Sequence, residues 1–127
     1  MFDIRNPYKG QTGFKRIWNA FGYSIAGLRS AYKHESAFRQ EVWLAFPLIF
    51  TAILIPVTDM QRALLIGSVL LVLIVELLNS GIEAIVDRVT KENDELAKQA
   101  KDMGSAAVLL GLANCLTVWV LVLQSLL

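Results

Sequence analysis

The sequence predicts an all-α integral membrane protein, with three transmembrane helices preceded by an N-terminal amphipathic surface helix. Three observations predict it. The apolar residues come in long runs: Val42–Thr58 and Met103–Leu127 contain no charged residue, and Ala63–Val86 is interrupted only by Glu76 and Glu83. The mean hydropathy is +0.51 and 55 % of the 127 residues are hydrophobic, which is high for a water-soluble domain. Before these runs, apolar residues recur every three or four positions, the period of a helix with one apolar face. Crossing the hydrocarbon core takes about 20 helical residues, within a range of roughly 17–25, so the three runs fit three spans. One membrane domain is expected over residues 1–127: a tail at 1–11, a surface helix at 12–34, and spans at 37–57, 62–88 and 100–125.

Met1–Gln11, with Pro7 and Gly10, reads as a tail. Met1–Glu41 is too polar for a fourth span and has no apolar core or cleavage site of a signal peptide. From Thr12, Phe14, Ile17, Trp18, Phe21, Ile25, Leu28 and Tyr32 mark one helical face, opposite Arg16, Ala20, Tyr23 and Gly27. That pattern describes a helix lying in the membrane surface; the alternative is a stripe that packs on the bundle. Ala20, Gly22 and Gly27 favour close approach to the polar side. Lys33–Glu41 interrupts the apolar pattern before the first span. Within that span Pro47 is expected to kink the helix and Pro56 to help stop it. Asp59–Arg62 reads as a short turn between antiparallel neighbours, and the second turn is expected at about Lys91–Asp94. The third span opens on KDMGSAA and continues with Ala107 and Gly111, small residues that let helices approach closely. Trp43 and Trp119 read as members of the interfacial aromatic belts.

Net charge is +1, which gives no reason to expect nucleic-acid binding. Seven of the 12 Lys and Arg precede Val42, four lie between Arg88 and Lys101, one is Arg62, and none follows Lys101. The positive-inside rule then puts the N-terminus and the 88–101 loop in the cytoplasm, and the 56–62 turn and C-terminus outside. The single Cys115 excludes an intrachain disulfide.

The chemistry concentrates in Val75–Arg88. Glu76, Asn79, Glu83 and Asp87 fall at i, i+3, i+7 and i+11, on one helical face. Each carboxylate near a span centre costs roughly 2.5–3.5 kcal/mol, against a gain of only about 0.3–0.6 per aliphatic residue. A helix carrying that cost is expected to use the carboxylates, most simply for a cation. Glu76 and Glu83 are about 10 Å apart along the axis, too far to share one ion directly, so separate tasks follow. Glu83 is nearer the cytoplasmic end, where nucleotide can reach; Glu76 is deeper and suited to accept a proton. The structural alternative is a set of interhelical hydrogen bonds. Glu35 and Glu41 flank the first span and by themselves read as solvated charges, unless packing brings Glu35 to Glu83. Two carboxylates with water and phosphate oxygens would then make a Mg²⁺ site. Lys101 and Asp102 stand at the mouth of the third span, where Lys101 serves either as a membrane anchor or as a point charge for phosphate. His34 has no second histidine to share a metal. No phosphate-binding glycine loop occurs, so a nucleotide site must be built from helix side chains.

GFKRIWNAFGYS (13–24), ESAFRQE (35–41), VELLNSGIEAIVDR (75–88) and AKDMGSAAVLL (100–110) resemble the prokaryotic diacylglycerol kinase family, small integral-membrane lipid kinases of the Gram-negative type. The likeness covers almost the whole chain from about Thr12. It implies ATP-dependent phosphorylation of diacylglycerol to phosphatidic acid, at the cytoplasmic face of the bacterial inner membrane, by a homotrimer with shared active sites. By that resemblance Glu76 is the general base, and Glu35 and Glu83 hold Mg²⁺ and with it ATP. Arg16, Tyr23, Lys101 and Asp102 contact ATP, with Glu92, Asn93 and Asp94 near it in a stretch that is less similar. Asn79 and Ser105 support the base and the lipid hydroxyl, and Asp87 is a further supporting residue. Ala20, Phe21, Gly22, Tyr23, Ser24 and Ile25, then Ala37, Phe38, Arg39, Gln40 and Glu41, with Arg62 and Trp119, line the lipid's path. Three spans offer too little wall to enclose such a site, so oligomerisation follows from size as well. The rival readings are an undecaprenol kinase, a proton- or cation-coupled transporter with Glu76 as relay, and a non-enzymatic assembly factor.

Overall fold

The computed structural model describes residues 12–90 and 93–127; the Met1–Gln11 tail and Glu92 lie outside the described residues. Four helices follow one another: α1 (Phe14–His34), α2 (Ser36–Leu54), α3 (Asp59–Val89) and α4 (Glu95–Gln124). The last three are long and apolar enough to cross a membrane. At 1.5 Å per residue, α3 and α4 are each about 45 Å long, more than the roughly 30 Å of a hydrocarbon core. Their charged ends, around Asp87 and around Lys98–Asp102, therefore extend past it.

α1 starts after Gly13, whose φ of 71° is a left-handed conformation that glycine adopts without steric penalty. Its apolar side chains Phe14, Ile17, Trp18 and Phe21 are exposed on the single chain. Only Glu35, in an extended conformation, separates α1 from α2. Arg39 holds this junction: Nη1 donates to the carbonyls of Tyr32 (2.6 Å) and Lys33 (3.3 Å), a cation on the negative end of α1. Trp43 Nε1 donates to the Tyr32 hydroxyl at 3.0 Å.

α2 carries Pro47 inside it and ends at Leu54, because Pro56 forces Ile55 into an extended conformation (ψ 151°). The terminal carbonyls are then satisfied by Arg62. Its Nη1 donates to Ala52 O (2.8 Å) and Ile53 O (2.6 Å), and Nη2 to Val57 O (3.2 Å). Arg62→Ala is expected to destabilise the fold by about 1.5–3 kcal/mol, the size of a charge-assisted hydrogen bond, with Arg62→Lys recovering part of it. Reversible unfolding in mixed micelles measures both.

The turn lies earlier than the Asp59–Arg62 expected from sequence. Thr58 and Gln61 form a capping box: Gln61 N donates to Thr58 Oγ1 (3.1 Å) and Thr58 N to Gln61 Oε1 (3.0 Å). That pairing satisfies the first orphan amides of α3 and starts the helix at Asp59.

α3 and α4 form an antiparallel hairpin. Gln61 Nε2 donates to Ser125 Oγ (3.2 Å) at one end, Ser68 Oγ lies 3.6 Å from Cys115 Sγ, and Asp87 pairs with Lys101 at the other end. The apolar core sits at the Arg62 end, where Ala45, Ala52, Leu65, Val69, Trp119 and Val122 pack together. Trp119 is thus a core residue, 8 % exposed, and not a belt residue; the α4 register turns it inward. Trp43 is exposed. Within the most apolar stretches, only 17 % of α2 and α4 and 39 % of α3 is buried inside one chain, so lipid or further copies must cover the rest.

Candidate active site

The buried face of α3 runs Leu65, Ser68, Val69, Val72, Glu76 and Asn79. It begins as core and continues without a break in register into the acidic group. Glu76 is 6 % and Asn79 8 % exposed; Glu83 is half-buried and Asp87 exposed. Asn79 Nδ2 donates to Glu83 Oε1 at 3.4 Å. Asn79 lies against α4 at Gly104, which is itself buried; its Cγ would be 3.2 Å from a Cβ at that position.

Packing brings carboxylates from three places toward this stripe. Glu76 is within electrostatic reach of Glu83 and of Glu35 at the α1–α2 junction, and Glu41 on α2 is within reach of Glu76. Among the described residues none of the four forms an ion pair with a basic side chain. Like charges that face one another favour a cation among them. Two buried acceptors, Glu41 Oε2 and Asn79 Oδ1, have no hydrogen-bond partner among the described residues.

Every donor in this group is oxygen, the set a hard divalent cation takes. Among the described residues of one chain, no three His, Cys, Asp or Glu side chains converge as a closed metal site.

Beyond Glu83 basic side chains join the carboxylates. A cavity of about 740 Å³ at the α3–α4 turn is lined by Asp87, Asn93, Asp94, Lys98, Lys101 and Asp102, among others. Lys101 Nζ is 2.5 Å from Asp87 Oδ1 and Lys98 Nζ is 2.6 Å from Asp102 Oδ2. These pairs are well exposed, and such pairs contribute only about 0–1 kcal/mol, so a phosphate can displace the carboxylate at little cost. Asp94 caps α4 by accepting from Leu96 N at 3.0 Å. A second groove, of about 600 Å³, lies between α1 and α3, with Ser24, Gly27 and His34 facing Ser80 and Gly81, and Glu35 also lining it.

Of the residues singled out in the sequence, Glu35, Glu41 and Glu83 lie within electrostatic reach of Glu76, Asn79 contacts Glu83, and Asn93, Asp94, Lys101 and Asp102 border the adjacent cavity. Arg16, Ala20, Phe21, Gly22, Tyr23, Ser24 and Ile25 lie exposed on α1, and Ser24 Oγ donates to Ala20 O at 3.0 Å. Ala37 and Gln40 are exposed, Arg39 is half-buried, Phe38 is buried, and Ser105 is exposed beside Gly104. Arg62 and Trp119 are not brought to the carboxylates; Arg62 is about 21 Å from Glu76 along α3. Sequence reasoning misses Lys98 and Ser80. Lys98 is legible as the i−4 partner of Asp102, whereas Ser80 needs the packing of α1.

A family model described as prokaryotic diacylglycerol kinase matches residues 22–123. The chain is 54 % identical to a diacylglycerol kinase of Pseudomonas aeruginosa, over 93 % of this chain and 96 % of that one. It is 50 % identical to a diacylglycerol kinase of Escherichia coli K12, over 90 % and 93 %. With a diacylglycerol kinase of Haemophilus influenzae the identity is 45 %, over 85 % and 92 %.

Proposed function

The chain belongs to the prokaryotic diacylglycerol kinase family, and we propose that its buried carboxylate group carries out the transfer of a phosphoryl group from ATP to diacylglycerol. The activity itself follows from the family and from relatives of that name over nearly the whole chain. The undecaprenol and transporter readings are not favoured by those relatives. The observation that carries the site assignment is Glu76, a carboxylate buried on a membrane-spanning helix with further carboxylates around it.

In this reading the lipid's free hydroxyl reaches Glu76 from the bilayer side. Its oxygen forms a bond to the γ-phosphorus, the bond from that phosphorus to the bridging oxygen breaks, and ADP leaves. The hydroxyl proton passes to a Glu76 carboxylate oxygen. Such transfers need little covalent help from the protein; positioning and charge neutralisation dominate. Glu35 and Glu83 would hold Mg²⁺, which when bound neutralises charge on the phosphoryl oxygens. Asn79 fixes Glu83 through its 3.4 Å contact. Lys101 and Lys98 exchange their carboxylate partners for phosphate oxygens, and Arg16, Tyr23, Asn93, Asp94 and Asp102 complete the nucleotide's surroundings. α1, with Phe14, Trp18 and Phe21 exposed, lies in the interface and guides the lipid in.

Three membrane-spanning helices in this family fit a protein of the bacterial inner membrane. The charge distribution supports a cytoplasmic N-terminus and 88–101 loop. A homotrimer would cover the exposed apolar faces and close the site, which is open in one chain.

Transfer of ³²P from Mg-ATP to dioleoylglycerol in mixed micelles tests the function. Labelled phosphatidic acid is the expected product. Product from undecaprenol alone would change the acceptor, and no product from either lipid with well-folded protein would overturn the reading.

A further inference from the structure

We infer that Gly104 is a positioning residue for the metal-nucleotide side of the site, acting through Asn79 on Glu83. This rests on the proposal that Glu83 holds Mg²⁺. Among the described glycines, Gly104 alone has no room for a side chain: a Cβ there would collide with Asn79 Oδ1 and lie 3.2 Å from its Cγ. At Gly111, seven residues on and also buried on α4, a Cβ would meet only Val75 at 3.9 Å, an ordinary contact. The obstruction at Gly104 is therefore specific to one amide and is not a general tightness between α3 and α4.

The same geometry accounts for an orphan. Asn79 Oδ1 is buried without a hydrogen-bond partner among the described residues. The oxygen occupies the space that a Cβ at 104 would need. That leaves the other end of the amide, Nδ2, directed at Glu83 Oε1. A methyl group at 104 would meet the far end of a short side chain that can turn about χ2, and the amide would swing off Glu83. A carboxylate ligand that loses its outer hydrogen-bond partner binds metal about 10–100-fold more weakly. Gly104 thus matters to the metal site through the space it leaves empty.

The test is a double-mutant cycle on the full-length protein in micelles, with Mn²⁺ as the probe, titrated by electron paramagnetic resonance in the presence of a non-hydrolysable ATP analogue. Gly104→Ala is expected to weaken Mn²⁺ binding by about 10–100-fold, and Gly111→Ala to leave it unchanged. On an Asn79→Ala background the obstructing amide is gone, so adding Gly104→Ala should change the affinity by less than about twofold. An equal loss on both backgrounds, or wild-type affinity in Gly104→Ala, overturns the inference. Failure of Gly104→Ala to assemble also overturns it, because only a side-chain amide should have to move. If the wild type itself binds no Mn²⁺ with nucleotide, the metal assignment of Glu83 falls and the inference falls with it. Unaltered binding in Gly104→Ala alone sinks only the inference.

Discussion

Glu76→Gln is expected to lower kcat for phosphoryl transfer by about 10²–10⁴-fold, the usual contribution of a positioned general base. The substitution keeps the shape and a hydrogen-bonding oxygen and removes the capacity to take the lipid's proton. The next carboxylate on the same helix, Glu83, is about 10 Å further along α3. KM for Mg-ATP should change little, since the nucleotide is assigned to the shallower residues. The variant should fold as well as the wild type or better, because it relieves repulsion from Glu83 and Glu35. Label transfer to dioleoylglycerol, measured beside a thermal midpoint, checks both halves. Near-normal kcat in a well-folded variant would remove Glu76 as the base.

Glu83→Gln is expected to act differently. It keeps an oxygen for the Asn79 amide at 3.4 Å and takes away the charge that holds a hard cation. Losing even an outer partner of a metal ligand weakens binding about 10–100-fold, so losing the ligand's charge should reduce kcat/KM for Mg-ATP by at least about 100-fold. Part of that loss should be recovered by raising Mg²⁺, a recovery that Glu76→Gln cannot show. Rate against free Mg²⁺ at fixed ATP separates the two variants. A loss in Glu83→Gln that is indifferent to Mg²⁺ would assign the metal elsewhere.

Both substitutions act on one stripe, and the order of amino acids is enough to reveal it. Hydropathy locates the three spanning runs, because a bilayer excludes unpaired backbone and permits only helix over such lengths. The spacing of Glu76, Asn79 and Glu83 puts them on one face, because 3.6 residues per turn permits no other arrangement. The start of α3 is legible as well: Thr58 and Gln61 carry the capping-box spacing, although Asp59–Arg62 resembles a turn on polarity alone. Trp119 misleads for a different reason. Its type suits an interface, and only the rotation of α4 against α3 decides that it joins Ala52 and Leu65 in the core.

By itself, the sequence determined how many helices there are, where the acidic face lies and which family the chain belongs to, since local periodicity and motif spacing are properties of one segment at a time. Tertiary packing decided the rest. It set Glu35 and Glu41 near Glu76, engaged Arg39 and Arg62 at the ends of the preceding helices, paired Lys101 with Asp87, and pressed Asn79 against Gly104. Each of these depends on the register and rotation between helices. Those are set by the summed packing of many small contacts, so no single segment of sequence reveals them.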